Sequence, residues 1–153
     1  MPYSYLDYKF EVRIFFEKNI PSKSKVLDVG PGVGTYWALF KNLEYKMDCV
    51  EIFEPYVERY GLREKYEHVY VANIMEFDFS EYDCVLLGDI LEHLSVKDGQ
   101  KLMERITKNG QKSLVAVPYL FEQGESEGNI YEAHLQPDLT RKKEKDPNPL
   151  KGV

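Results

Sequence analysis

Asp28-Val-Gly30-Pro-Gly32-Val-Gly34 places glycines at alternate positions behind the apolar run Lys25-Val-Leu-Asp-Val. Glycines so spaced permit a tight turn and let a ligand approach the backbone, and a helix starting there offers free N–H groups with a positive dipole end. The spacing is neither the G-x-G-x-x-G of dinucleotide sites nor the G-x-x-x-x-G-K-[ST] of P-loops, and no Lys-Ser/Thr follows, so triphosphate binding is not expected. A plain helix-starting turn would look the same, so other residues must decide. Asp28 lies inside an apolar strand, where an isolated charge costs several kcal/mol; it must be hydrogen-bonded or serve a ligand. Glu51 ends the next apolar run, 17 positions after Gly34. An acid about 20 positions beyond such a turn takes ribose hydroxyls in nucleoside sites. Asn73 ends a third run, and its amide can read a purine edge.

A second group is Asp89-Ile-Leu-Glu92-His93. Positions i, i+3 and i+4 share a helical face. The plainer reading makes Asp89 an N-cap and Glu92 its capping-box partner. The sharper one is an acid–base or metal cluster completed by His134 from the late segment Asn129-Ile-Tyr-Glu-Ala-His134. Imidazole titrates nearest neutral pH, so His93 and His134 are the candidate proton acceptors. Carboxylate and imidazole ligands would suit a divalent cation, but no metal is assigned. His68, at the start of a strand, reads as structural.

These residues need strand ends and turns to hold them. Apolar β-branched runs at 25–30, 47–51, 68–73, 83–88 and 113–117 alternate with helical stretches at 5–19, 34–43, 55–65 and 98–108. In the first helix Phe10, Ile14 and Phe15 fall at helical spacing. Pro55 suits a first helical turn. The alternation predicts βαβ units and a mostly parallel sheet, and open sheets of this kind bind ligands at the carboxyl ends of their strands. At 153 residues with 43% apolar residues, the chain suffices for one domain and its core. A mean hydropathy of −0.47 and short apolar runs exclude a membrane span. A net charge of −6 argues against a nucleic-acid partner. Cys49 and Cys84 read as buried reduced thiols, and with no signal peptide apparent the expected location is cytoplasmic.

The four segments, taken together and in order, resemble a family. Val26-Leu-Asp-Val-Gly-Pro-Gly-Val-Gly-Thr35 resembles motif I of the class I S-adenosylmethionine-dependent methyltransferases. Glu51 matches their ribose-binding acid. Ala72-Asn73-Ile74 is similar to the segment that touches adenine, with Asn in place of Asp. Tyr82-Asp-Cys-Val-Leu-Leu-Gly-Asp-Ile-Leu-Glu-His-Leu94 resembles the fourth-strand motif of the subgroup carrying D-x-L-E-H-L. The resemblance implies a Rossmann-like, doubly wound α/β fold with strand order 3-2-1-4-5 and S-adenosyl-L-methionine as cofactor. The residues it implies for that cofactor are Asp28, Gly30, Gly32, Gly34, Glu51, Ile52, Asn73, Ile74 and Asp89. The acceptor it implies is an oxygen or nitrogen of a small molecule. An E-x-x-E-H pattern with a distant His is also similar to the metal site of methyltransferases acting on the 3′ ends of small RNAs. Here Asp replaces the first Glu and no RNA surface is apparent, so that chemistry is not expected.

Members of the family continue with a helix and an antiparallel strand pair, for which this sequence leaves no room after residue 140. We therefore expect a domain over 1–140 and a charged tail over 141–153, without that strand pair. A non-catalytic cofactor-binding or assembly module is the rival reading, and a nicotinamide oxidoreductase is disfavoured by the glycine spacing. An open fifth-strand edge predicts a homodimer through that side, with Tyr119, Leu120, Phe121 and Tyr131 contributing.

Overall fold

The apolar runs pair side by side in the computed structural model, which describes residues 9–118 and 122–136. They form β1 (Lys25–Val29), β2 (Lys46–Glu51), β3 (Val69–Val71), β4 (Cys84–Gly88) and β5 (Lys112–Ala116). The sheet order is β3-β2-β1-β4-β5, every pair parallel, as the sequence predicts. Among the described residues no strand follows β5. The register brings the carboxyl ends level: Gly30 N–H donates to the Val50 carbonyl at 2.8 Å, Ala72 to Glu51 at 3.1 Å and Asp89 to Ala116 at 2.8 Å.

Period-two alternation in β1, β2 and β4 sends side chains to both faces, and both are covered. Val26, Met47, Cys49, Cys84 and Leu86 meet Phe16, Phe40, Val57 and Leu62 on one face. Leu27, Val29, Val50, Val85 and Leu87 meet Leu102, Met103 and Ile106 on the other. Cys49 and Cys84 are buried free thiols, and burial pushes both up from the ordinary thiol range.

The helices are α1 (Lys9–Asn19), α2 (Thr35–Phe40), α3 (Pro55–Arg59) and α4 (Val96–Lys108). In α1 the buried face is not the one the spacing of Phe10, Ile14 and Phe15 suggests. Phe16 is buried, with Val12 packed beside the core and Ile20 just past the helix end, whereas Phe10 and Phe15 are 70% and 57% exposed. Both sets recur at helical intervals, and the packing of Phe16 on Phe40, with ring centroids 4.4 Å apart, selects the second. The stretch 55–65 is not one helix. Gly61, at φ +57°, ends α3 and a short 3-10 turn follows at Leu62–Glu64.

The segment after β4 also departs from expectation. Asp89 sits at φ +57° and caps no helix; Leu91–His93 form a single 3-10 turn. The working cap lies farther on, where Ser95 Oγ accepts from Asp98 N–H at 3.1 Å to start α4. Along α4, Leu102 and Ile106 enter the core while Arg105 reaches over the sheet end. Its guanidinium donates to the carbonyls of Ile74 (3.1 Å), Met75 (2.9 Å) and Phe77 (2.6 Å) and lies over the Phe79 ring.

At the opposite end of the sheet, Asp48 accepts from Tyr82 Oη at 2.8 Å and from His68 N–H at 3.0 Å, with His68 Nδ1 also 3.0 Å away. Tyr119, Leu120 and Phe121 of the expected dimer contact, and the tail 141–153, lie outside the described residues. On the β5 side, Val115 and Val117 are about two-fifths exposed (41% and 40%) and Tyr131 is 47% exposed. No helix among the described residues is long and apolar enough to cross a membrane.

Candidate functional site

A cleft opens where the strands end. Its walls include Gly30, Gly32, Glu51, Ile52, Asn73, Ile74, Asp89, His93 and His134. Asp28 and Gly34, also expected in the site, do not line it.

The turn after β1 runs through left-handed conformations, with φ of +58° at Gly30, +51° at Gly32 and +84° at Gly34. A Cβ at Gly30 would lie 2.4 Å from Ile90 Cδ1 on top of the backbone strain, so glycine is needed there twice over. Lys65 holds the turn from outside: its Nζ donates to the Val33 carbonyl at 2.9 Å and to that of Tyr60 at 2.6 Å. Gly34 heads α2 and stands behind the wall, against the Lys65 stem. Asp28 lies one layer deeper. It is 1% exposed, and Tyr66 Oη donates to its Oδ2 at 2.6 Å. Burial pushes this carboxyl up to about 7, against the pull of the Tyr66 hydrogen bond and the Lys9 charge.

Glu51 closes β2 with its carboxylate 4% exposed, and its Oε1 accepts from Phe53 N–H at 2.8 Å. Burial pushes it up to about 7, and the Glu132 charge adds to the shift. Asn73 spends its side-chain oxygen on Met75 N–H at 3.0 Å, which leaves its amide NH₂ for a ligand. Tyr36 packs its ring flat on Gly88, where an added Cβ would come within 2.0 Å of it. Lys9 Nζ donates to the Tyr36 hydroxyl at 2.9 Å.

The far wall comes from residues 122–136, docked on the 3-10 turn. Leu135 and Gln136 N–H donate to the Glu92 carbonyl at 2.7 and 3.1 Å. Gln136 Nε2 reaches the carbonyls of Leu91 (3.0 Å) and Leu94 (2.9 Å). This docking sets the His134 ring edge-to-face on His93, centroids 4.8 Å apart. It also buries Glu132, which accepts from Tyr56 Oη at 3.1 Å and from Gln123 Nε2 at 3.0 Å.

His93 Nδ1 lies 3.2 Å from the Ala133 carbonyl. A carbonyl only accepts, so Nδ1 carries the proton and Nε2 keeps its lone pair. Burial lowers His93, so the ring stays neutral near neutral pH. Glu92 is 1% exposed, and among the described residues no other residue hydrogen-bonds either side-chain oxygen; His93 Nε2 is 4.0 Å from Oε1. Burial pushes Glu92 up to about 8, with the charges of Asp89 and Glu132 adding to it. The ligating atoms of Glu92, His93 and His134 lie within 4.8 Å of one another.

Sequence reasoning left Glu92 between a cap partner and a member of an acid–base or metal cluster, and passed over Tyr36, Tyr56, Gln123 and Glu132. Only Glu132 carried a local signal, being inside the polar segment noted for His134.

Residues 27–114 match the family described as "Methyltransferase domain", more than half of the chain. The chain belongs to this family. Among solved structures, the fold of this methyltransferase domain is similar to the YcgJ protein from Bacillus subtilis at 15% identity and a TM-score of 0.59, covering 78% of this chain and 53% of that one. It is similar to the glycopeptide N-methyltransferase MtfA in complex with S-adenosyl-L-homocysteine, at 17% identity and a TM-score of 0.59, covering 73% and 53%. It is also similar to CalS10, an amino pentose methyltransferase from Micromonospora echinaspora solved with S-adenosylmethionine bound, at 17% identity and a TM-score of 0.54, covering 67% and 45%. The chain spans about half the length of these structures. No curated protein matches it in sequence.

Proposed function

We propose that the chain binds S-adenosylmethionine in this cleft and transfers its methyl group to an oxygen or nitrogen of a small-molecule acceptor. The observation that carries the reading is the convergence, in a chain of the methyltransferase family, of the Gly30–Gly32 turn, Glu51 and the Asn73-Ile74 segment on one cleft at the strand ends. The residues fit the cofactor. The left-handed glycine turn lets a ligand lie against backbone, Glu51 is a held acceptor for ribose hydroxyls, and Asn73 has a free amide for the base. Asp89, the residue after β4, would lie beside the methyl donor.

When bound, the cofactor supplies an electrophilic methyl on a sulfonium sulfur; the C–S bond breaks and its electron pair stays on sulfur. The chain's share is to align the acceptor and to take its proton. His93 and His134 meet at the acceptor side, and the neutral Nε2 of His93 can receive that proton. One structural neighbour is named a glycopeptide N-methyltransferase, which favours nitrogen here. A location in the cytoplasm, a dimer through the β5 side and Gly34 and Asp28 as support behind the cofactor complete the proposal.

Thermal-shift and calorimetric titration with S-adenosylhomocysteine, NAD and NADP test it. S-adenosylhomocysteine alone should stabilise, by about 2.7 kcal/mol at a hundredfold excess over Kd. Glu51→Ala should cost about 1.5–3 kcal/mol of that affinity. Stabilisation by NAD instead, or unchanged affinity in a folded Glu51→Ala, would refute the assignment. Binding without turnover on any amine or hydroxyl acceptor would favour the non-catalytic module.

A further inference from the structure

The charge on the cleft wall is one-sided. Among the described residues that line it there is no Lys or Arg, while Glu51, Asp89, Glu92 and Glu132 all contribute. These carboxylates are not equivalent. Glu51 is held by Phe53 N–H, and Glu132 by Tyr56 and Gln123. Asp89 is partly open to solvent. Glu92 is 1% exposed, and among the described residues no other residue donates to either of its oxygens. A buried carboxylate without a donor costs several kcal/mol, and proteins keep such groups where a ligand completes them. The donor missing at Glu92 has to come from the cleft.

We propose that Glu92 receives a cationic amine, so that the acceptor is an ammonium-bearing small molecule and Glu92 binds and deprotonates it. The inference rests on the cofactor reading above. A phosphate or carboxylate next to Glu92, Asp89 and Glu132 would meet like charge, and Lys9, the cation that bears on Asp89, is engaged by the Tyr36 hydroxyl. A neutral hydroxyl supplies a single donor and no charge. An ammonium supplies several donors, in the strong form of hydrogen bond, and favours the carboxylate form of Glu92 that burial otherwise disfavours.

The chemistry balances. R–NH₃⁺ gives one proton to the Glu92 carboxylate and becomes R–NH₂. The nitrogen lone pair forms the new N–CH₃ bond as the C–S bond breaks, its electrons remaining on sulfur. The product leaves as R–NH₂⁺–CH₃. Glu92 is sealed from solvent, so its proton needs a way out. His93 Nε2 is 4.0 Å away with its lone pair free, and the His93 side chain is 19% exposed. His93 therefore relays the proton outward. The raised Glu92 suits this role, because a base titrating near the working pH both takes and releases a proton readily.

The test needs no knowledge of the natural acceptor. S-adenosylhomocysteine analogues carrying a short aminoalkyl, hydroxyalkyl or carboxyalkyl arm on the methyl-bearing position are titrated by calorimetry near neutral pH, with a chelator present. The amino arm should bind about 10-fold or more tighter than the hydroxyl arm, the carboxyl arm weakest, tenfold being about 1.4 kcal/mol. Glu92→Gln should abolish the preference and leave S-adenosylhomocysteine affinity unchanged. Glu92→Asp should keep part of it, and decides the matter if the Gln variant fails to fold. Equal binding of amino and hydroxyl arms, or a preference that survives in folded Glu92→Gln, overturns the inference and leaves the cofactor reading standing. Failure of S-adenosylhomocysteine itself to bind overturns both.

Discussion

Replacing Asp28 by Asn tests how the sheet tolerates a charge in its middle. Asp28 is 1% exposed, and its carboxyl is held up at about 7 against an ordinary value of 3.8. A carboxyl raised on folding keeps its proton in the native state while the unfolded chain releases it. Its stabilising contribution is complete below pH 3.8 and drains away as pH rises to about 7. Each pH unit in that window is worth about 1.36 kcal/mol. The loss between about pH 5 and about pH 8 is therefore about 2–3 kcal/mol. Asn keeps an oxygen for the Tyr66 hydroxyl, 2.6 Å away in the native protein, and carries no titrating proton. Urea unfolding of both proteins without ligand gives the stability difference at each pH. The variant should gain about 2–3 kcal/mol on the native protein on going from about pH 5 to about pH 8. Glu92 slopes the same way but is present in both proteins and cancels, while Glu51 loses the small part of its shift that the Asp28 charge supplies. A difference that stays flat across this range would refute the reasoning, since the Asp28 charge would then be paired as well in the folded as in the unfolded chain.

Gly32→Val should abolish S-adenosylhomocysteine binding in calorimetry. A β-branched side chain at φ +51° costs about 1–2 kcal/mol of stability and stands on the cleft wall, so the circular dichroism of the fold should survive while the site does not. Arg105→Ala removes the hydrogen bonds to the Ile74, Met75 and Phe77 carbonyls. It should cost about 2–3 kcal/mol in urea unfolding and weaken S-adenosylhomocysteine binding, because Ile74 and Asn73 line the cleft. Gln136→Ala removes the contacts to the Leu91 and Leu94 carbonyls. Hydrogen exchange should then show faster exchange at the Leu135 and Gln136 amides, with the β4 amides unchanged.

The sheet was readable because each of its signals is local. A β-branched run, a glycine turn at its end and a helical stretch afterwards fix a βα unit without knowledge of the rest, and the strand ends then place Gly30, Glu51, Asn73 and Asp89 together. The α1 face was not readable, because Phe10–Ile14 and Val12–Phe16–Ile20 repeat equally well and contact with Phe40 selects between them. The cap at Asp89 failed for another reason. The residues Asp89 to Glu92 satisfy a capping pattern, but the Ala116 carbonyl takes the Asp89 N–H and the loop 122–136 takes the Glu92 carbonyl. Bonds of such sequence separation leave no trace in a local pattern.

The division of labour in the cleft follows from the same distinction. The side proposed for the cofactor is built from strand ends and the turn behind β1, elements whose positions the sheet ladder fixes. The side proposed for the acceptor is built from one 3-10 turn and a loop that arrives from far along the chain. The Leu135 and Gln136 amides and the Gln136 side chain tie that loop to main-chain carbonyls of residues 91–94, and Tyr56 Oη holds Glu132. Glu92 sits at this joint. A carboxylate at a joint sealed by backbone bonds gains nothing for folding, since any apolar residue of its size would pack there without the charge. The proposed amine contact accounts for its presence at the cleft, and on that proposal a change of acceptor would begin at Glu92.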